Sequence, residues 1–120
     1  MVKYPIRKQK FILDKQWKQL VINNDLACGD NSKIVVKYFN PVGIGTWYLY
    51  SINPKTNIAF GVATITNTEL GTIDFNELRD LVLDFGLGIE RDAHYPTNKH
   101  TIGEILNASW LGRHTSWYTS

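Results

Sequence analysis

Thr46-Trp47-Tyr48-Leu49-Tyr50-Ser51-Ile52, Asn53-Pro54-Lys55-Thr56-Asn57 and Ile58-Ala59-Phe60-Gly61-Val62-Ala63-Thr64-Ile65 follow one another without interruption. The outer runs are rich in β-branched and aromatic residues, which suit a pleated, half-buried surface, and the middle run has turn chemistry. Pro54 fixes its own φ and brings no amide donor to a ladder, so it belongs in the turn. Two adjacent antiparallel strands follow, and they set the fold class. Upstream, Ile34-Val35-Val36-Lys37-Tyr38-Phe39 reads as a further strand that ends in the turn Asn40-Pro41-Val42-Gly43. Downstream, Glu69-Leu70-Gly71-Thr72-Ile73 reads as another short one.

Helices flank these strands. Asp14 is positioned to cap a helix over Lys15 to Asn23, with Trp17, Leu20 and Val21 on one face. Asp74 and Glu77 have capping-box spacing for a second helix that reaches about Leu83, with Phe75, Leu78, Leu81 and Val82 as its apolar stripe. Gly86 and Gly88 stop it, and Ile89 to Tyr95 reads as extended until Pro96 breaks it. Thr101 and Glu104 cap a last helix carrying Ile102, Ile105 and Leu106. The expected architecture is α+β: a small, mostly antiparallel sheet with two or three packed helices.

The chain has 120 residues, 43% of them hydrophobic and 20% charged, which fits one globular domain with its own core. Residues 1–10 read as a basic N-terminal arm and residues 107–120 as an aromatic C-terminal tail. The lone Cys28 can form neither an internal disulfide nor a thiolate zinc cage, so a reducing compartment is expected. No segment approaches the length of a membrane span. The net charge of +2 is too small to argue for nucleic acid, but its signs are segregated. Lys3, Arg7, Lys8, Lys10, Lys15 and Lys18 lie at the start, and Glu69, Asp74, Glu77, Asp80, Asp84, Glu90 and Asp92 lie later.

Six blocks recur in order: Val36-Lys37-Tyr38-Phe39-Asn40-Pro41, Thr46-Trp47-Tyr48-Leu49, Ile58-Ala59-Phe60-Gly61, Glu69-Leu70-Gly71, Phe75-Asn76-Glu77-Leu78 and Gly86-Leu87-Gly88-Ile89-Glu90-Arg91-Asp92-Ala93-His94-Tyr95. With them the chain resembles the domain of unknown function 2958 family, small proteins of bacteria, plasmids, conjugative elements and phages. The entry Phe11-Ile12-Leu13-Asp14-Lys15-Gln16 is similar as well. The chain departs from the family pattern at Ala93, where a longer apolar side chain is expected, and after Leu106. The resemblance implies a cytosolic protein of mobile genetic elements and assigns no catalytic residue.

On an extended segment Glu90, Asp92 and His94 share one side, a row that invites a metal or acid/base reading. Neighbours on that side lie about 6.6 Å apart and the outer two about 13 Å apart, too far for all three to reach one ion. Arg91 falls on the other side with Ile89, Ala93 and Tyr95. A guanidinium among apolar neighbours needs a carboxylate or backbone carbonyls, so Arg91 reads as a strut locking the glycine turn to the core, or else as an anion-binding group. Glu90 or Asp92 reads alternatively as the anchor of another element rather than as a catalyst. Tyr48 and Tyr50 share a face and are either core residues or an exposed stacking platform. Trp110, Trp117 and Tyr118 are expected to dock on the domain or on another subunit. Gly86, Gly88, Gly43 and Gly45 lack nucleotide-loop spacing and read as turn residues with positive φ. His100 and His114 read as surface residues.

With no catalytic signature, the expected function is that of a non-enzymatic, macromolecule-binding protein of a phage or mobile element. The first expected partner is a protein: a host or defence factor, or an assembly component. Glu90, Arg91, Asp92, His94, Tyr48, Tyr50, Trp117 and Tyr118 are the binding candidates. Two further classes stay open. One is a small metal-dependent or acid/base hydrolase using Glu90, Asp92 and His94, which requires those side chains to converge in a pocket. The other is nucleic-acid binding through Lys3, Arg7, Lys8 and Lys10 with the hairpin tyrosines, which requires strong salt dependence. No cofactor or metal is assigned, and the expected location is the cytoplasm of a bacterial host, with a place in the virion and an oligomer left open.

Overall fold

The computed structural model describes residues 3–111, with the backbone alone for residues 108–111. Five antiparallel strands form one sheet in the order β4-β3-β2-β1-β5. They are β1 (Val36–Phe39), β2 (Thr46–Asn53), β3 (Ile58–Thr64), β4 (Thr68–Asp74) and β5 (Glu90–Arg91). The helices are α1 (Asp14–Asn23), α2 (Phe75–Asp80) and α3 (Ile102–Leu111). The α+β reading therefore holds. Strand β1 is shorter than expected, because the amides of Ile34 and Val35 donate to the carbonyls of His100 and Leu49 just ahead of the ladder.

The β2–β3 hairpin forms as its residues require, with Asn57 in the left-handed region at φ 57° to close the turn. Its ladder shifts register between Leu49 and Ser51, so Tyr50 is an extra residue in β2. The buried Asn23 side chain donates to the Tyr50 carbonyl at 2.7 Å, and Gly61 leaves room for β2 where a Cβ would run into the Tyr48 carbonyl. Tyr48 and Tyr50 share one core cluster, and the bulge brings Ile52, three residues beyond Leu49, into the same cluster as Leu49 on the other face.

Two helix ends differ from expectation. Leu13, and not Asp14, caps α1: its amide donates to Gln16 Oε1 at 3.0 Å, and Asp14 is the first helical residue. Helix α2 starts as predicted, with Asp74 Oδ1 accepting the Glu77 amide at 3.1 Å, but ends at Asp80 instead of continuing to Leu83. The chain beyond is drawn into a tight turn in which the Leu83 amide donates to Leu87 at 2.7 Å and the Gly86 amide to Leu83 at 3.1 Å. Leu81 and Val82 consequently face solvent and are no part of a core stripe. Helix α3 has the predicted reciprocal cap: Thr101 Oγ1 accepts from the Glu104 amide, and Glu104 Oε1 accepts from the Thr101 amide.

The sheet is covered on both faces. On one, Leu20 of α1 and Phe75 and Leu78 of α2 pack with Phe11, Tyr38, Leu49, Ile52 and Ile89. Phe11 stacks on Tyr38 with ring centroids 4.5 Å apart, and the Tyr38 hydroxyl donates to the Phe11 carbonyl. On the other face, Ile102 and Ile105 of α3 cover Ile34, Tyr48, Tyr50 and Val62. Tyr48 is 2% and Tyr50 5% exposed, so neither offers a stacking surface, which corrects the platform reading. His100 is half-buried against Tyr95 and not simply on the surface, with its Nδ1 2.9 Å from the Tyr95 hydroxyl. No described helix is long and apolar enough to cross a membrane. The side chain of Trp110 and all of His114, Trp117 and Tyr118 lie outside the described residues.

Candidate functional site

Strand β5 is two residues long, and the extended reading of Ile89 to Tyr95 fails after Arg91. Asp92 turns the chain: its Oδ1 accepts the His94 amide at 3.0 Å and its carbonyl accepts the Tyr95 amide at 3.2 Å. Glu90, Asp92 and His94 therefore do not form a row on one strand face. Asp92 Oδ2 lies 3.7 Å from Lys37 Nζ, and His94 is exposed.

Glu90 is buried, and both its carboxylate oxygens accept backbone amides, Lys8 at 2.8 Å and Gln9 at 3.3 Å. Arg91 is 7% exposed, and its Nε donates to the Lys10 carbonyl at 2.8 Å. Successive strand residues point to opposite faces, so Glu90 and Arg91 grip the N-terminal arm from both sides of the sheet edge. Glu90 is thus the anchor of another element, one of the two roles the sequence offered. Arg91 is a strut, but for the arm and not for the glycine turn.

Arg7 holds the glycine turn instead. Its Nε donates to Ile89 at 2.8 Å and its Nη2 to Arg79 at 2.7 Å, and its guanidinium lies 4.4 Å from the centroid of the Phe11 ring. Burial weakens its hold on the proton more than nearby Glu90 strengthens it, so its pKa falls below the usual arginine value. Ile6 pairs in parallel with Leu87: its amide donates to Gly86 at 2.7 Å and its carbonyl accepts from Gly88 at 2.9 Å. Gly86 (φ +75°) and Gly45 (φ +139°) fit the positive-φ expectation. Gly88 and Gly43 do not; Gly88 is needed because a Cβ there would lie 2.7 Å from Arg7 Nη2 and 2.8 Å from Pro5 Cβ. Two of the Arg7 side-chain nitrogens are thus committed to backbone carbonyls. Lys3, Lys8 and Lys10 are exposed.

Where the arm crosses the turn, a groove of about 490 Å³ opens, with Ile6, Phe39, Pro41 and Leu87 as apolar lining and Lys8, Glu90, Arg91, Asp92 and His94 as polar lining. Four of the sequence candidates, Glu90, Arg91, Asp92 and His94, therefore line one concavity, but the carboxylates of Glu90 and Asp92 are committed to backbone amides and to Lys37. Among the described residues no group of three His, Cys, Asp or Glu is placed to hold a metal ion.

Sequence reasoning missed a residue of the same turn, two positions before Leu87 of the groove wall. Phe85 is 86% exposed and left-handed, with φ 64° and ψ 15°. The Tyr4 ring lies against the neighbouring Gly86, and Ile6 reaches the same glycine. Tyr4 and Ile6 are exposed too. The only signal in the sequence was a phenylalanine set between Asp84 and Gly86, where turn residues are expected.

A family model described as "Protein of unknown function (DUF2958)" matches residues 11–110. No curated protein and no solved structure matches the chain.

Proposed function

We propose that this chain, which belongs to the DUF2958 family, binds a protein partner where its N-terminal arm crosses the glycine turn, in the service of a phage or other mobile element inside a bacterial host cell. The observation that carries this reading is Phe85. A bulky residue in the left-handed region costs roughly 1–2 kcal/mol relative to an ordinary backbone conformation. The phenyl ring, 86% exposed, recovers nothing by burial within the described residues. A complementary pocket on a partner would bury the ring, and aromatic side chains of this kind anchor interfaces. Tyr4 and Ile6 extend the apolar surface, and the adjoining groove adds a concave side with polar groups on its wall.

An acid/base hydrolase would need a carboxylate free to exchange protons with a substrate, whereas Glu90 holds two amides of its own chain. Affinity capture from host cells with the full chain and with Phe85→Ser, each with a nuclease-treated control, tests the proposal. The expected result is one stoichiometric protein partner, kept after nuclease treatment and lost with Phe85→Ser at unchanged Tm. Equal recovery by both chains would reject this surface. Recovery that nuclease abolishes would assign the protein to nucleic acid.

A further inference from the structure

The two edges of the sheet are built differently. The β5 edge is two residues long and crossed by the arm. The β4 edge runs for seven residues, Thr68–Asp74, in unbroken register with β3. It has no proline, no bulge and one charged side chain before its terminal Asp74, and no described strand pairs with its outer side. These are the properties that natural proteins usually remove from an open edge. Gly71, at its middle, has nothing within 4 Å of where a Cβ would stand, and a hollow of about 440 Å³ is lined by Leu70, Gly71, Thr72 and Ile73. Leu70 and Thr72 are exposed.

We propose that β4 pairs with β4 of a second copy of this chain, antiparallel about a two-fold axis at Gly71. In that register Leu70 lies opposite Thr72 of the other copy, Glu69 opposite Ile73, and Thr68 opposite Asp74. Every carboxylate faces an uncharged side chain, and Gly71 faces Gly71 with no steric demand. An isologous contact of this kind closes on itself, so it yields a dimer and not a filament. The main-chain ladder supplies the attraction, and the Leu70–Thr72 pairs set the register. The two Phe85 surfaces would lie beyond the opposite, β5 edges, so the dimer does not depend on the partner-binding site.

Sedimentation of the full chain over a wide concentration series should show the mass rise from 13.7 kDa towards twice that value. Leu70→Lys with Thr72→Lys sets like charges opposite each other twice, and the dissociation constant should rise at least about tenfold. Leu70→Lys with Thr72→Glu sets opposite charges in the same places and should restore the dimer. Amide exchange in β4 of the unsubstituted chain should slow as concentration rises, a readout independent of any variant. A monomer at every concentration, or two double variants that associate equally, would overturn the proposal. Protection of β4 only when a heterologous protein is added would also overturn it, and would give the edge to that protein's strand.

Discussion

Arg91 is almost wholly buried, and its Nε is committed to the Lys10 carbonyl. Arg91→Ala removes a charge-assisted bond, which is worth about 1.5–3 kcal/mol. Thermal or denaturant unfolding should show a loss of that size, and an unchanged Tm would mean the contact is not made in solution. Phe85 is expected to behave in the opposite way. Replacing it by glycine relieves roughly 1–2 kcal/mol of left-handed strain and adds roughly 0.5–1 kcal/mol of unfolded-chain entropy. With 86% of the residue exposed, almost no packing is lost. Phe85→Gly should therefore have a Tm equal to or slightly above that of the unsubstituted chain while losing the partner. A clear drop in Tm would show that the ring packs on its own chain.

At the scale of elements, the segment from Tyr95 to Thr101 joins the sheet to α3, and its stability should follow the ionisation of His100. Burial lowers the His100 pKa below the ordinary histidine value of 6.5; Glu104 opposes that shift, and Lys99 and Lys37 reinforce it. Its Nδ1 faces the Tyr95 hydroxyl, which burial keeps protonated and able to donate. A group whose folded pKa is depressed binds more protons when unfolded, so its contribution is full above pH 6.5 and shrinks as pH falls through the folded value. Unfolding free energy should decline with acidification over that window, and His100→Gln should flatten the slope. An identical slope in the variant would assign the acid sensitivity to other groups.

Elements with local signals were legible in the sequence: the β2–β3 hairpin from its turn, and the starts of α2 and α3 from Asp74 and Thr101. Termination was not. Helix α2 stops at Asp80, and the chain enters a turn whose Gly86 carbonyl accepts the Ile6 amide of the arm, a contact that no periodicity around Leu81 records. The candidate site divides in the same way. Glu90 and Arg91 were recognisable as groups that need partners, but the partners are backbone atoms of Lys8, Gln9 and Lys10, some eighty positions away. Backbone atoms leave no mark in composition. The importance of Phe85 lies in a φ value, which sequence pattern does not display.

The whole molecule depends on the arm to close one side of its sheet. A chain beginning at Lys10 would lose the Ile6–Leu87 pairing, both Arg7 bonds and the two amides that satisfy Glu90. A buried carboxylate stripped of its donors must be hydrated or protonated, and the edge of β5 is uncovered in the same step. Lower stability and a second sticky edge should therefore appear together. The shortened chain should unfold at lower temperature and sediment as species larger than those of the full chain, because a sheet with two open edges can extend at both ends. Adding Glu90→Gln to the shortened chain removes the unpaired charge and should recover part of the Tm, yet leave the association unchanged, since the edge stays open. If the larger species vanish with that substitution, the unpaired charge, and not the exposed ladder, drives the association.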